Sequence, residues 1–234
     1  MTMDIARIIQ VFIVQFGLGI ISLIIGIKIL KRDKKRVNQL IASFYISEFI
    51  GTLFNIIYAP FEINPLVYNL HILTVFFTYF GPVMLLLFTL VVYKSQKIIT
   101  TPKQLLIMIG WAVILIIAFM IPNGITINDT THWKPVWSLN FSLYILISQC
   151  IYWTVPLLYV SFKIFSLFDD KLLKNKWKYL LIGIIGELFV IYGVPLANYF
   201  NDSQFRTINS LISLFGFIIG AFGIYKGIGE QIKK

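Results

Sequence analysis

Residues 66–93 read LVYNLHILTVFFTYFGPVMLLLFTLVVY, a run of 28 residues without an Asp, Glu, Lys or Arg. An α-helix needs about 20 predominantly apolar residues to cross the hydrocarbon core of a bilayer, so this stretch alone predicts a membrane-spanning helix. The whole chain of 234 residues has the same character, with 58% hydrophobic and 13% charged residues and a mean hydropathy of +0.84. Soluble domains contain about 25% charged residues. We therefore expect a polytopic membrane protein rather than a soluble domain, a coiled coil or a disordered chain.

Six further apolar runs accompany this one, and turn-forming residues separate them. Pro60 and Pro65 bracket one connection, and Pro122 begins the longest one. The runs lack the strict alternation of apolar and polar residues that marks the strands of a membrane barrel. The sequence therefore predicts an all-α bundle of seven transmembrane helices that forms a single domain over residues 1–234. The predicted spans cover residues 8–30, 39–59, 66–93, 104–121, 139–165, 178–199 and 207–225.

Lys and Arg gather at one set of span ends, and this sets the predicted orientation because cytoplasmic loops carry an excess of these residues. Seventeen of the 20 fall on that side, and only Arg7, Lys134 and Arg206 fall on the other. The N-terminus is therefore expected outside and the C-terminus inside. The net charge of +10 reflects this topology, so nucleic acid is not an expected partner. Three glycosylation sequons lie on, or at the edge of, the predicted outer face, at Asn128, Asn140 and Asn201.

Two carboxylates lie within the predicted spans, Glu48 in the second and Glu187 in the sixth. A charged side chain at the bilayer centre costs about 2.5–3.5 kcal/mol on insertion scales, so an intramembrane acid is a candidate functional group. Each glutamate follows the predicted start of its span by nine residues, which puts both about 13–14 Å from the inner edge. One interpretation is that they share a proton or a cation in a polar cavity. The other is that both are protonated and each hydrogen-bonds a neighbouring helix.

Polar residues also recur at three- and four-residue steps in four spans, which places them on one face of each helix. These stripes consist of Tyr45, Glu48, Thr52 and Asn55 in the second span, His71, Thr74, Thr78 and Pro82 in the third, Ser142, Gln149, Tyr152, Trp153 and Pro156 in the fifth, and Arg206, Asn209, Ser210 and Ser213 in the seventh. Either they line a small cavity in the outer half of the bundle, or they make hydrogen bonds between helices. The candidate ligand-binding or proton-sensing residues are Glu48, Asn55, His71, Gln149, Glu187 and Asn209.

Small residues repeat along one face of the seventh span, at Gly216, Gly220 and Gly223. Such residues let two helix backbones approach closely. We expect this face to pack tightly within the bundle. The same spacing also drives association of identical helices, so a homodimer through these three glycines is the alternative.

The residues that most enzymes and metal sites need are scarce. The chain has one cysteine, Cys150, and two histidines, His71 and His132. A disulfide within the chain and a cysteine-based zinc or iron–sulfur site are therefore excluded. The motifs of zinc proteases, α/β-hydrolases, P-loop proteins and dinucleotide-binding proteins do not occur. We expect neither an enzyme nor a bound metal or cofactor.

Two parts of the chain, residues 44–93 and 132–138, have a recurring arrangement of aromatic residues and prolines. Within residues 44–93 an aromatic-rich second span ends at Tyr58, a short turn follows, and Tyr79, Pro82 and Phe88 precede the next loop. Residues 132–138 read His-Trp-Lys-Pro-Val-Trp-Ser. This pattern resembles the N-terminal seven-transmembrane sensor region of microbial histidine kinases, many of which have a Trp-containing outer loop. Because no kinase follows Lys234, the resemblance implies a stand-alone sensor module that signals through a separate partner.

Together these features predict a sensor or receptor-like protein that binds a small or lipophilic signal, or a proton, in a polar bundle interior. Movement of kinked helices would shift the basic inner loops against a separate cytoplasmic or membrane partner. A small transporter or channel that uses Glu48 and Glu187 is one alternative, and a structural subunit of a larger membrane complex is another. The expected surrounding is the lipid bilayer of a microbial plasma membrane.

Overall fold

A computed structural model describes residues 5–229. In this part of the chain seven helices are long and apolar enough to cross a membrane, which confirms the seven predicted spans and the character of a multi-pass membrane protein. The spans are, in order, Ile9–Arg32, Arg36–Tyr58, Leu66–Lys94, Thr101–Phe119, Leu139–Leu167, Lys171–Phe200 and Ser203–Ile228. The chain termini, to which the predicted orientation assigns opposite sides, lie outside the described residues.

Helix caps explain where the spans begin. The sixth span begins at Lys171, seven residues before the predicted start, because Asp170 caps it by accepting hydrogen bonds from the backbone N–H groups of Leu172 and Leu173. Asp202 caps the seventh span in the same way through Phe205. The starts predicted for these two spans lie too far along the chain, because hydropathy marks only the apolar part of a helix. A capped first turn can contain polar and charged residues.

Four spans contain irregular helix. The first begins with a π-helix, Ile9–Gln15, before the α-helix Phe16–Arg32. The third is divided into Leu66–Phe80 and Pro82–Lys94, because Pro82 has no N–H to donate to the preceding turn. The fifth comprises Leu139–Gln149, a π-helix at Cys150–Thr154, and Val155–Leu167, and the seventh continues from Ser203–Ile224 into a π-helix at Tyr225–Gly229. A short α-helix at Ile5–Ile8 precedes the first span.

The longest connection, between the fourth and fifth spans, carries a small hairpin that the all-α prediction missed. Strands Ile125–Thr126 and Val136–Trp137 pair antiparallel, and a 3₁₀ turn at Asp129–Thr131 lies between them. We call this side of the bundle the hairpin end. Each strand has only two residues and polar neighbours, so the sequence shows no alternating pattern that would predict it.

The opposite side, where Arg32, Arg36 and Lys94 lie, is called the basic end. The turn between the first two spans is closed by Asp33, which accepts hydrogen bonds from the Lys35 backbone N–H and the Asn38 side-chain amide, both at 2.8 Å. The hydrogen bond from the Lys35 N–H holds the pKa of this exposed carboxyl below its usual value.

The sixth and seventh spans pack backbone against backbone. A Cβ at Gly223 would lie 2.6 Å from the carbonyl oxygen of Tyr179 and 2.8 Å from Cα of Gly183. A Cβ at Gly220 would lie 2.7 Å from Oε1 of Glu187, and one at Gly216 would lie 3.1 Å from the Gly186 carbonyl oxygen. The glycine face is therefore occupied within the chain. A homodimer stays a prediction, and one that used Gly220 and Gly223 would have to displace the sixth span.

The half of the bundle nearer the basic end has a solid apolar core. Phe44, Leu87, Leu180 and Ile224 are each 0% exposed. The Tyr45 hydroxyl donates a hydrogen bond to the Ala221 carbonyl in the same layer. The half nearer the hairpin end is different, because it encloses a cavity.

Candidate functional site

A cavity of about 150 Å³ lies between the first, second, third, sixth and seventh spans, beneath the hairpin. None of the residues of the fourth and fifth spans lines it. A cavity of roughly this size holds a benzene-sized molecule. Its polar and charged lining residues are Arg7, Gln10, Gln15, Ser22, Glu48, Thr52, Asn55, Tyr58, His71, Thr74, Thr78, Tyr79, Lys134, Trp137, Asn198, Ser203, Arg206, Asn209, Ser210 and Ser213.

The first span contributes to the cavity mainly through its π-helix. Four lining residues, Gln10, Val11, Val14 and Gln15, come from this segment. A π-helix widens the turn and is found frequently at functional sites. The side-chain amide of Asn55 donates a hydrogen bond to the side-chain oxygen of Gln15, so the first and second spans are joined by an amide pair at the cavity wall.

The rim of the cavity is basic. Arg7, Lys134 and Arg206 all line it, and they are the same three residues that break the charge asymmetry of the sequence. Arg7 donates to the carbonyl oxygen of His132 at 3.2 Å, and Arg206 donates to that of Pro135 at 2.6 Å. Both guanidinium groups therefore hold the long connection over the cavity. Partial burial lowers the pKa of Arg7, because desolvation disfavours its charged form.

A chain of hydrogen bonds crosses the wall of the cavity through His71. The indole Nε1–H of Trp137 donates to His71 Nε2 at 3.2 Å, and the Tyr58 hydroxyl lies 2.8 Å from His71 Nδ1. An indole nitrogen can only donate, so Nε2 is the acceptor and the imidazole proton is on Nδ1. Nδ1–H then donates to Tyr58, whose own hydroxyl proton is left for a group in the cavity. His71 is thus a buried hydrogen-bonding residue, 3% exposed.

Glu48 lies at the floor of the cavity. Its side chain is 8% exposed, and its Oε1 has no hydrogen-bond partner. This oxygen lies beside the break in the third span, since a Cβ at Gly81 would be 3.2 Å from it. Thr52, one turn further along, uses its hydroxyl to bond the backbone carbonyls of Glu48 and Phe49. A carboxyl with an unpartnered oxygen at the end of a cavity is available to a bound molecule.

The seventh span contributes Asn209 and Ser213 to the same wall. The Asn209 side chain fills the space in which a Cβ at Gly193 of the sixth span would lie. The hydroxyl of Ser213 is buried without a hydrogen-bond partner. A glycine at position 193 therefore makes room for a cavity-facing amide.

The structure brings together four of the six predicted site residues. Glu48, Asn55, His71 and Asn209 all line the cavity, and Glu187 and Gln149 do not. Glu187 is turned toward Gly220 at the contact between the sixth and seventh spans, although it remains close enough to Glu48 for the two carboxyls to interact electrostatically. Gln149 is 0% exposed in the fifth span, and neither atom of its amide has a partner.

Sequence reasoning placed Arg206 on a polar stripe and did not select it, and it missed Arg7, Tyr58 and Trp137. A signal for the two arginines was present. They are the exceptions to the charge bias, and a basic residue that opposes this bias needs another reason for its position. Nothing in the sequence placed Trp137 beside His71, because that contact depends on how the hairpin folds back over the bundle.

A second, shallower cleft of about 440 Å³ lies at the basic end. It is lined in part by Arg32, Asn38, Phe88 and Trp177. The guanidinium of Arg32 donates to the carbonyl of Ile228 at 2.6 Å, while its buried Nε has no partner. Within residues 5–229 no group of three His, Cys, Asp or Glu side chains is arranged to hold a metal ion.

Comparison with known proteins gives this chain no relative. No protein-family model matches it, and neither a curated protein nor a solved structure does.

Proposed function

We propose that the chain is a receptor-like membrane sensor that binds a small molecule in the cavity beneath the hairpin. In this proposal the hairpin end faces outward and the basic end faces the cytoplasm of a microbial cell, as the Lys and Arg distribution favours. The single observation that carries the proposal is that the cavity is blind. It runs from a polar rim to the carboxyl of Glu48 and ends there against a packed core.

A blind cavity favours binding over passage. Transporter folds typically place their site near the midplane and open it to either side in turn. Here the layer beneath Glu48 contains side chains such as Phe44 and Leu87 that are 0% exposed. A solute that reached the floor would have to disrupt this layer to continue. Binding and release through the same rim require no such disruption.

The route for a signal follows the third span. Glu48 lies beside the break at Gly81 and Pro82, so a group bound at the floor contacts the point where the third span bends most easily. The basic end of the same span contributes Phe88 to the second cleft. A shift of the third span would therefore change the surface that a cytoplasmic partner meets. The resemblance to kinase-linked sensor regions favours such a partner.

A proton or cation transporter is the second candidate, and a specific observation supports it. Glu48 and Glu187 are both buried, each has an oxygen without a hydrogen-bond partner, and the two interact electrostatically. Two such carboxyls can share a proton. The candidate requires a path from Glu187 to the basic end, where the core is packed.

Flux measurements separate the two candidates. Purified protein in proteoliposomes is tested for proton, Na⁺ and K⁺ flux under an imposed gradient, with Glu48→Gln and Glu187→Gln as variants. A sensor gives no flux above that of empty vesicles in any of the three proteins. Flux in the native chain that Glu48→Gln abolishes would overturn the sensor proposal.

A distance measurement tests the sensor directly. Spin labels are placed at positions 97 and 171, both exposed at the basic end, in a Cys150→Ser background. Ser213→Phe fills part of the cavity and mimics an occupant, and Leu211→Phe adds the same ring on an exposed side of the same helix. We expect Ser213→Phe to change the distance between labels by about 1–2 Å, the size of the helix shifts that accompany switching at packed interfaces. Equal distances in both variants would contradict the proposal.

Orientation is tested with a membrane-impermeant maleimide on intact cells. Single cysteines at position 203, which is exposed at the hairpin end, and at position 97 are compared in the Cys150→Ser background. The proposal expects labelling at position 203 only. Labelling at position 97 only would reverse the orientation.

A further inference from the structure

The rim of the cavity concentrates positive charge: three basic residues line it, and the carboxylate that interacts electrostatically with Arg7 is the exposed Glu62. Arg7 and Arg206 are close enough to repel each other, and both interact electrostatically with Tyr58. Among the described residues no carboxylate lies within ion-pair distance of Arg206. Two neighbouring guanidinium groups that are partly removed from water are a site for an anion.

Arg206 has the donors that such a site needs. Arg206 is 8% exposed, and within residues 5–229 only one of its side-chain N–H groups has a hydrogen-bond partner: Nη2 donates to the Pro135 carbonyl. Its Nε is buried without a partner. A buried donor left unsatisfied costs about 1–3 kcal/mol, so a ligand oxygen at this position would remove a penalty as well as add a bond.

The walls below the rim fit a hydrocarbon body. Val11, Val14, Val75, Val190 and Val194 line the cavity between the rim and the floor. The volume of about 150 Å³ admits a molecule of modest size, with its charged group at the rim. The rim is favoured over the floor for the charged group, because the rim supplies two guanidinium groups whereas the carboxyl of Glu48 at the floor supplies no positive charge.

We propose that the cavity binds a small carboxylate with an apolar body, whose carboxylate group is held by Arg206 and Arg7 and whose hydrocarbon chain points toward Glu48. This inference rests on the proposed ligand-binding function and specifies its ligand class. Lys134 is the third basic residue that lines the rim.

The test compares three probes of equal length. The full chain in phosphatidylcholine nanodiscs is titrated calorimetrically with hexanoate, with the neutral isostere hexanamide and with the cation hexylamine. We expect hexanoate to bind at least about tenfold more tightly than hexanamide, because hydrogen bonds to a charged acceptor are roughly twice as strong as neutral ones. Hexylamine should bind least tightly, since it meets like charge at the rim.

Matched variants assign the effect to the rim. Arg206→Gln should weaken hexanoate binding about tenfold or more and leave hexanamide binding nearly unchanged. Arg7→Gln, at a half-buried position, serves if Arg206→Gln fails to fold. Lys31→Gln removes the same charge from the exposed, opposite end of the first span and should leave hexanoate binding unchanged.

Each outcome decides the inference. Hexanamide binding as tightly as hexanoate would overturn the carboxylate assignment and leave the sensor proposal standing, since the cavity would still bind a ligand. If Lys31→Gln weakened hexanoate binding as much as Arg206→Gln does, the effect would come from general surface charge, and the carboxylate assignment would again be overturned. Binding of none of the three probes would also overturn it. The flux measurement tests the sensor proposal independently of all these results.

A parallel titration with palmitate identifies the source of the carboxylate. Hexanoate binding without palmitate binding indicates a ligand that enters from water through the rim. Palmitate binding that Arg206→Gln weakens indicates a membrane-resident fatty acid whose chain leaves the cavity between spans. Either result supports recognition of a carboxylate.

Discussion

Trp137 is joined to His71 by a hydrogen bond of 3.2 Å, which ties the hairpin to the third span at the wall of the cavity. The same connection is held by Arg206 through the Pro135 carbonyl and by Arg7 through the His132 carbonyl. All three side chains that anchor the connection to the helices also line the cavity. The position of the connection and the occupancy of the cavity are therefore linked, because a molecule bound in the cavity competes for the same side chains that hold the connection in place.

Replacing Trp137 with Phe should destabilise the protein. The change keeps most of the ring but leaves His71 Nε2 without its donor, and we expect a loss of about 0.5–2 kcal/mol in the free energy of unfolding. Trp153→Phe is the matched control, since Trp153 is equally buried and its Nε1 has no hydrogen-bond partner. Unfolding in mixed micelles of mild detergent and SDS measures both. A control that loses as much as Trp137→Phe would show that ring size, not the hydrogen bond, matters.

The seven membrane-spanning helices could be predicted from the sequence, because the bilayer imposes a length and a composition on each helix. All seven spans were found. The ends were less accurate, as at Lys171, because a cap such as Asp170 extends a helix into charged sequence. The hairpin was missed because its two-residue strands leave no periodic pattern, and it exists only through contacts such as that between Trp137 and His71.

Gly223→Ala should destabilise the contact between the sixth and seventh spans. A methyl group there would lie 2.6 Å from the Tyr179 carbonyl oxygen and 2.8 Å from the Gly183 backbone, and backbone atoms cannot move aside as the end of a side chain can. Overpacking of this kind costs about 1–3 kcal/mol in the free energy of unfolding. Gly17→Ala is the control, because a Cβ at Gly17 meets nothing within 4 Å. The same SDS titration measures both, and equal stability of the two variants would contradict the packing.

The two fully buried glutamines should respond in opposite ways to replacement by Met. Gln104 accepts a hydrogen bond from Arg36 at 2.6 Å and donates one to the Ile99 carbonyl at 2.8 Å, so Gln104→Met should cost about 1–3 kcal/mol of unfolding free energy. Gln149 has neither bond, so Gln149→Met should be neutral or stabilising. Unfolding titrations of both variants measure the difference. A large loss for Gln149→Met would reveal a partner for its amide, such as a bound molecule.

The site was less predictable than the fold. Helical spacing placed Glu48, Asn55, His71 and Asn209 on inward faces, and these four meet at the cavity. The same spacing selected Gln149, and Glu187 was selected as an intramembrane carboxylate; neither criterion shows which neighbouring helix a residue meets. The rotation of each span relative to its neighbours decides that, and it is set by contacts such as that between Gly220 and Glu187.

Chemical access should distinguish the two intramembrane carboxyls. A water-soluble carbodiimide with a small amine converts the carboxyl groups that it reaches into amides, and mass spectrometry of peptides locates them. We expect modification at Glu62, which is exposed at the hairpin end, and more slowly at Glu48, which lines the cavity. Glu187 does not line the cavity and should stay unmodified.

Two variants make this experiment decisive for the blind cavity. Glu48→Gln should remove only the modification at position 48, which assigns that signal to the Glu48 carboxyl, and Glu187 should stay unmodified if the bundle remains folded. Ser213→Phe should slow modification of Glu48 and leave that of Glu62 unchanged, because the added ring narrows the cavity. Modification of Glu187 as fast as that of Glu48 would mean that water passes the floor, and the argument for a binding site rather than a transport path would then fail.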